Sequence, residues 1–174
     1  MGGDDRAYLL LVRRHAERVH RLALRLTGDA VRADDVTQDA FIRLHRALPG
    51  FRADATLSTW LHTVTLNLCR DLARRDRRDP TVPIMDETGA TWEGPDGADA
   101  AEEAERRRWL ERAVSSLPEP IREAVVLRYV AGLSYEAIAD VARCPIGSAA
   151  SRVHRGLRLM AKHLTLHGLN QEDL

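Results

Sequence analysis

LPEPIREAVVLRYVAGLSYEAIADVARCPIGSAASRVHRGLRLMAKH, residues 117–163, carries the strongest structural pattern in the chain. It predicts three helices separated by two sharp joints. Pro120 suits a first helical position, where its missing N–H would have no partner in any case. Ile121, Ala124, Val125 and Arg128 follow at helical spacing, and Gly132 stops that helix. Ser134 is a good N-cap for a short second helix from Tyr135 to Val141. Ala142, Arg143 and Cys144 make a three-residue turn, and Pro145 opens a third helix. A short helix, a tight turn and a longer helix with a basic outer face form a helix-turn-helix signature.

The third helix sorts by face. Ile146, Ala149, Val153, Leu157 and Met160 follow the 3.6 period and are expected inside. Ser148, Ser151, Arg152, Arg155 and Arg158 are expected outside, where hydroxyls and guanidiniums suit phosphates and base edges. The plainer alternative is a solvated face on an ordinary three-helix unit.

Working outward, a helix restarting near Ala101 is expected to pack on this unit through Trp109, Leu110, Ala113, Val114 and Leu117. Residues 79–100 before it read as a flexible linker, punctuated by Pro80, Pro83, Gly89, Gly94, Pro95 and Gly97, with Trp92 as its one aromatic. The last residues, from Gly168, are expected to fray.

The first 78 residues predict three helices. The first, from about Tyr8 to Leu26, carries Tyr8, Val12, His15, Val19, Leu22 and Leu26 on one face, with Gly28 as its C-cap. The second has the apolar stripe Val36, Ala40, Leu44 and Leu48, opposite Asp35, Gln38, Asp39, Arg43 and Arg46. Asp39 and Arg43 are spaced to pair across one turn. Its polar side reads either as a plain surface or as a docking face for a partner. After Pro49-Gly50 and the short loop 51–56, a long helix runs from Leu57 to about Asp76. Leu57, Trp60, Leu61, Val64, Leu68 and Leu72 form its buried stripe, while Thr63, Asn67, Arg70 and Arg74 form an exposed polar-to-basic line. Phe51 and Trp60 beside that line fit the combination of stacking and charge that holds single-stranded nucleic acid. Two core aromatics under a solvated basic helix explain the same residues equally well.

Composition narrows the class. Of 174 residues, 44% are hydrophobic and 30% charged, which is ordinary for a soluble protein. No stretch approaches the roughly 20 apolar residues of a membrane span, and the start, MGGDDRAYLLLVRRH, does not read as a secretory signal. A cytoplasmic location is expected. Cys69 and Cys144 have no metal or CxxC spacing, so two reduced thiols are expected. His163 and His167 lack a third ligand, and no phosphate loop or nucleophile elbow is present, so neither metal, cofactor nor enzyme activity is expected. Net charge is zero but unevenly spread. Residues 1–78 carry 15 Arg against 10 acids, 79–105 carry 9 acids and no base, and 106–174 carry 11 bases against 7 acids. Two basic blocks flank an acidic strip, so neutrality does not exclude nucleic acid.

Three segments together resemble the bacterial sigma-70 family, specifically its extracytoplasmic-function (ECF, group IV) sigma factors. ADDVTQDAFIRL, residues 33–44, resembles the helix that docks on the core RNA polymerase coiled coil. FRADATLSTWLHTVTLNLCRD, residues 51–71, resembles the element that melts and reads the −10 promoter region. Residues 117–159 resemble the domain that reads −35. The resemblance implies an all-α chain of two small helical domains: 1–78 (region 2), an acidic linker 79–100, and 101–174 (region 4).

It also implies roles. Asp35, Gln38, Asp39 and Arg43 would bind core polymerase. Phe51, Arg52, Ala53 and Asp54 would build a pocket for a base flipped from the non-template strand, with Trp60, Asn67, Arg70 and Arg74 beside it. Ser148, Ser151, Arg152, Arg155 and Arg158 would meet the −35 duplex. The acidic linker would follow a basic path through the polymerase. An anti-sigma factor would hold the protein inactive, fixing two domains that otherwise flex about the linker.

Two departures stand out. Where the family pattern has Thr, an aliphatic residue and then Lys or Arg, this chain has Ser148, Ala149 and Ala150, which implies a weaker or differently read −35 contact. His45 and His62 occupy positions often aromatic or basic. The competing readings are a free-standing helix-turn-helix regulator and a helical adaptor that binds only proteins.

Overall fold

The computed structural model describes residues 2–51, 56–78 and 98–166. The described residues are helical: α1 (Gly2–Thr27), α2 (Ala30–Ala47), a 3-10 turn (Leu48–Gly50), α3 (Leu57–Arg78), α4 (Ala98–Ser115), α5 (Glu119–Tyr129), α6 (Tyr135–Ala142) and α7 (Ile146–Leu166). The linker expected over 79–100 lies outside the described residues as far as 97, and α4 begins within it. Arg52, Ala53, Asp54, Trp92, His167 and the terminal residues also lie outside them.

Helices α1, α2 and α3 form one bundle, and α4 to α7 form a second. Their termini follow local chemistry. Gly28 takes the left-handed conformation, φ +71°, that ends α1. Asp29 then caps α2, its carboxylate accepting from the Arg32 N–H at 3.0 Å. Helix α1 starts nearly two turns earlier than expected; no breaker other than the two glycines interrupts it, and Asp5 suits the positive end of the helix dipole.

The first core follows the predicted stripes. Val19, Leu22 and Leu26 of α1 meet Val36, Ala40 and Leu44 of α2, all buried, and Leu61, Leu66 and Leu68 of α3 complete it. Truncating a fully buried leucine such as Leu22 or Leu44 to alanine costs about 2–5 kcal/mol. Helix α3 is buried more broadly than its stripe, through His62, Thr65 and Cys69 as well.

The second bundle is built on α5, whose Ile121, Glu123, Ala124, Val125, Val126 and Leu127 are all buried. A helix is covered on so many sides only when it lies between neighbours. Here α7 and α6 cover one side of α5, and α1 and α3 of the first bundle approach the other. Leu117, Ile121 and Val125 join Ala113, Met160 and Leu164 in a small core under Trp109. Leu110, expected inside, is 42% exposed. Helix α7 turns Ala149, Val153, Gly156, Met160 and Leu164 inward. Ile146 and Leu157, expected inside, are 52% and 38% exposed, because the inward face turns through Gly156 instead.

The two bundles touch directly, without a partner between them. Arg70 of α3 reaches Glu123 of α5, Arg77 reaches Glu119, and Arg25 of α1 reaches Glu111 of α4.

Candidate nucleic-acid interface

Asp35, Gln38, Asp39 and Arg43 are all exposed on α2, over a fully buried stripe. Asp35 and Gln38 line an open groove of about 480 Å³ between α1 and α2, walled by Tyr8, Val12 and Phe41 and edged by exposed Ile42. The Tyr8 hydroxyl donates to the Phe41 carbonyl at 3.0 Å, tying α1 to α2 at the floor. His20 and Asp34 tie them again at 3.1 Å. Asp39 and Arg43 do not close the ion pair expected across one turn, so both remain open to a partner. A largely apolar groove with the exposed Asp35 and Gln38 at its edge suits a helical protein partner.

The residues expected at −10 divide. Phe51 and Trp60 pack edge to face, 6.3 Å between centroids at 87°, and both are half-buried. Asn67 is half-buried, and Arg74 is exposed beside Asp71, with 2.5 Å between guanidinium and carboxylate. Arg70 departs from the expected exposed line. Its Nε and Nη2 donate to the two carboxylate oxygens of Glu123, both at 2.7 Å. That side chain faces the second bundle. The cause is Glu123, a carboxylate only 4% exposed that needs a cation. The Glu123 hydrogen bonds in turn raise the Arg70 pKa above its ordinary value.

The helix-turn-helix is built as the sequence predicts. The Ser134 hydroxyl accepts from the Ala137 N–H at 3.2 Å and caps α6. Arg143 ends α6 in the left-handed conformation, φ 54°. This is costly for a residue other than glycine and makes the turn tight. The Ala149 N–H donates to the Pro145 carbonyl at 3.0 Å, opening α7 one residue beyond Pro145. Ser151, Arg155 and Arg158 are exposed along α7, while Ser148 and Arg152 are half-buried. Arg152, Arg155 and Arg158 have no ion-pair partner among the described residues. Buried Ala149, Val153 and Gly156 seat the helix behind this row. His154, which sequence reasoning did not single out, also lies exposed on α7, beside the Tyr135 ring at 6.1 Å. Arg128 covers that ring at 5.1 Å.

A helical bundle with a polar docking face, joined to a helix-turn-helix whose long helix presents unpaired arginines, defines a two-module, DNA-reading protein. Residues 11–79 match the family model for Sigma-70 region 2, and residues 107–160 match that for Sigma-70, region 4. The RNA polymerase sigma-H factor of Pseudomonas aeruginosa is 36% identical over 170 residues, covering 93% of this chain and 88% of that protein. The ECF RNA polymerase sigma-E factor of Escherichia coli K12 is 36% identical over 163 residues, covering 88% and 84%. Among solved structures, CnrH in complex with the cytosolic domain of CnrY superposes with TM-score 0.70 at 25% identity, covering 94% of this chain and 91% of that one. RpoE of Bartonella quintana, solved with the anti-sigma factor NepR, shares the fold with TM-score 0.73 at 24% identity, covering 94% and 98%.

The chain therefore belongs to the sigma-70 family, as an extracytoplasmic-function sigma factor. It is a transcription initiation factor, from a family that is not a class of enzymes. A free-standing regulator would not account for the match over residues 11–79. Among the described residues no helix is long and apolar enough to cross a membrane.

Proposed function

We propose that this factor binds core polymerase through Asp35, Gln38, Asp39 and Arg43, and reads promoters with its two modules. Residues 1–78 read −10 through Phe51, Arg52, Ala53, Asp54, Trp60, Asn67, Arg70 and Arg74. Residues 101–174 read −35 through Ser148, Ser151, Arg152, Arg155 and Arg158, and residues 79–100 connect the two. The factor works in the cytoplasm, where its polymerase and promoter are.

The observation that carries this reading is the row Ser151, Arg155 and Arg158 on α7. It is exposed, without internal ion pairs, and set behind a tight turn. Such a row can enter a major groove and neutralise its flanking phosphates.

We further propose that an anti-sigma factor holds the protein inactive. The likeness to CnrH, solved with the cytosolic domain of CnrY, supports this. So does an apolar groove of about 490 Å³ between α4, α5 and α7, lined by Leu110, Val114, Tyr129, Leu157 and Met160 and rimmed by Arg25.

Run-off transcription on a genomic promoter library, with core polymerase and with or without this protein, tests the reading. New start sites that appear only with the protein, sharing −10 and −35 elements, are expected. DNA retardation by the protein alone, without new starts, would instead indicate a regulator.

A further inference from the structure

Arg14, Arg18, Arg21 and Arg25 stand along α1 at helical spacing. Arg25 meets Glu111 at 2.6 Å, and Arg21 meets Glu17 at 3.6 Å. Arg14 and Arg18 are exposed and have no ion-pair partner among the described residues. Like charges one turn apart repel each other on a helix. Packing does not call for them, because the stripe that anchors α1 runs through Val19, Leu22 and Leu26.

Their surroundings follow from how α1 lies on α3. At one end His62 of α3 is within electrostatic reach of His15 and Arg18. At the other end Arg32, just past α1, holds Asp76 near the end of α3. The two helices run side by side in the same direction. Arg14 and Arg18 therefore stand level with the first turns of α3, where Phe51 packs on Trp60. Going round α3 from His62, Thr59 lies at about 60°, Thr63 at about 100°, Asn67 at about 140° and Trp60 at about 160°. The opposite way round is closed by buried Thr65 and Leu61. The outer surface thus runs from Arg14 and Arg18 across Thr59 and Thr63 to Asn67 and Trp60, all four half-buried. The second bundle leaves this end uncovered, since its ion pairs fall further along, at Arg25, Arg70 and Arg77.

The two unpaired cations also create a standing positive potential. Burial first, then Arg14 and Arg18, hold the His15 pKa below its ordinary 6.5. Both guanidiniums await an anion, and neither is neutralised from within the fold.

We infer that Arg14 and Arg18 form a phosphate clamp, gripping successive phosphates of single-stranded DNA whose bases pass Trp60 and Asn67. This inference rests on the −10-reading role proposed above for α3. One turn apart, the two residues are separated by about 6 Å along the helix axis, close to the distance between successive phosphates of an extended strand. Each guanidinium can meet a phosphate with two parallel N–H···O bonds. Such contacts carry no sequence information, so the clamp fixes the register in which the −10 residues read bases. An acidic protein segment would meet the same charges, but continuity with the polar line of Thr63 and Asn67 favours DNA.

The test has two arms. In the first, the free full chain is titrated by NMR at its His15 ring, in 50 mM salt, with and without excess mixed-sequence 20-nucleotide single-stranded DNA. The DNA should raise the His15 pKa, because bound phosphates cancel the field of Arg14 and Arg18. Contact through α7 alone would leave that ring unmoved. In the second, holoenzyme binds a promoter recovered by run-off transcription, with its −10 region opened. Arg14→Gln with Arg18→Gln should weaken binding about ten-fold and reduce the dependence of log affinity on log salt by about 1.4, two single-strand phosphate contacts. Arg13→Gln with Arg108→Gln, an equal charge change at exposed sites, should alter neither. Neutral methylphosphonate linkages, placed singly along the non-template strand, should weaken wild type at two successive positions. The same two should have no effect on the Arg14, Arg18 double variant.

A His15 pKa unmoved by excess DNA, or a double variant with the wild-type salt slope, would overturn the clamp. Weaker binding of the double variant to core polymerase, with an unchanged DNA slope, would also overturn it and assign the pair to an acidic protein surface. The −10 reading fails separately, if wild type yields no new starts in run-off transcription; the His15 titration then decides the clamp by itself.

Discussion

His62 is 4% exposed, and its Nδ1 has no hydrogen-bond partner among the described residues. Burial first, then the nearby His15 and Arg18, hold its pKa below the ordinary 6.5. As pH falls below 6.5 the unfolded chain takes up a proton that the folded chain refuses. Stability is therefore full above 6.5 and declines as pH falls toward the folded pKa. One such group contributes at most about 1.4 kcal/mol per pH unit. His15, lowered by burial, Arg14 and Arg18, steepens the same slope. His62→Leu is expected to leave stability at pH 7 within about 1 kcal/mol of wild type and to flatten its decline between pH 6.5 and 5, followed by urea unfolding. An unchanged slope would assign the proton uptake elsewhere. His45, the other unexpected histidine, packs edge-on against Tyr8 at 4.9 Å. Residue 150 poses the opposite case, a position beside the proposed −35-reading row that lacks the charge of the family pattern. Ala150 is half-buried on α7 between Ser148 and Ser151. Ala150→Arg should tighten promoter binding by the holoenzyme several-fold and steepen its dependence on log salt by about 0.9, the signature of one added phosphate contact. Equal affinity and slope would show that the side chain does not reach the duplex.

Gly156 in the middle of α7 is unfavourable by about 0.5–1 kcal/mol relative to alanine if helix propensity alone decides. Its reason lies in packing. A Cβ there would stand 2.3 Å from Val125 Cγ2 and 3.1 Å from Ile121 Cγ2, two β-branched side chains of α5 that cannot turn aside. Gly156→Ala should therefore destabilise the chain by about 1–3 kcal/mol despite the better helix former, seen as a lower Tm. A rise in Tm would mean that α5 and α7 part easily. The elements also show what the sequence makes legible. Helices α2 and α7 each bury one face, so a 3.6-residue period reveals most of their inward residues and, by subtraction, the polar rows Asp35 to Arg43 on α2 and Ser151 to Arg158 on α7. Helices α3 and α5 are covered on two sides, and no single stripe describes them. The exposed line drawn through Arg70 fails for that reason. Its partner Glu123 is 53 residues away and leaves no local trace beyond a lone acid in an apolar run. Leu157 is misplaced because Gly156, which carries no hydropathic signal, holds the inward position instead.

At the scale of the molecule, Cys69 reports on the two bundles together. It is 8% exposed, and burial, then the Glu123 carboxylate, push its thiol up to about 12 from 9.0. At pH 8 the thiolate fraction is then roughly a thousand-fold below that of an ordinary exposed thiol. In a Cys144→Ser background, wild type should resist iodoacetamide at low salt. Reaction should quicken in 0.5 M salt or with Glu111→Gln and Glu119→Gln, measured by intact mass. Equal rates under all three conditions would mean that Cys69 is buried within the first bundle alone.

The three Arg–Glu contacts between the bundles, Arg25–Glu111, Arg70–Glu123 and Arg77–Glu119, have a further effect on assembly. Nothing in the Arg–Glu contacts requires both halves to belong to one chain, so two copies can exchange them and close reciprocally. A short tether gives its own two halves an effective concentration in the mM range. Self-pairing therefore dominates in dilute solution, and a domain-swapped dimer joined by six of these ion pairs competes only as protein concentration nears that value.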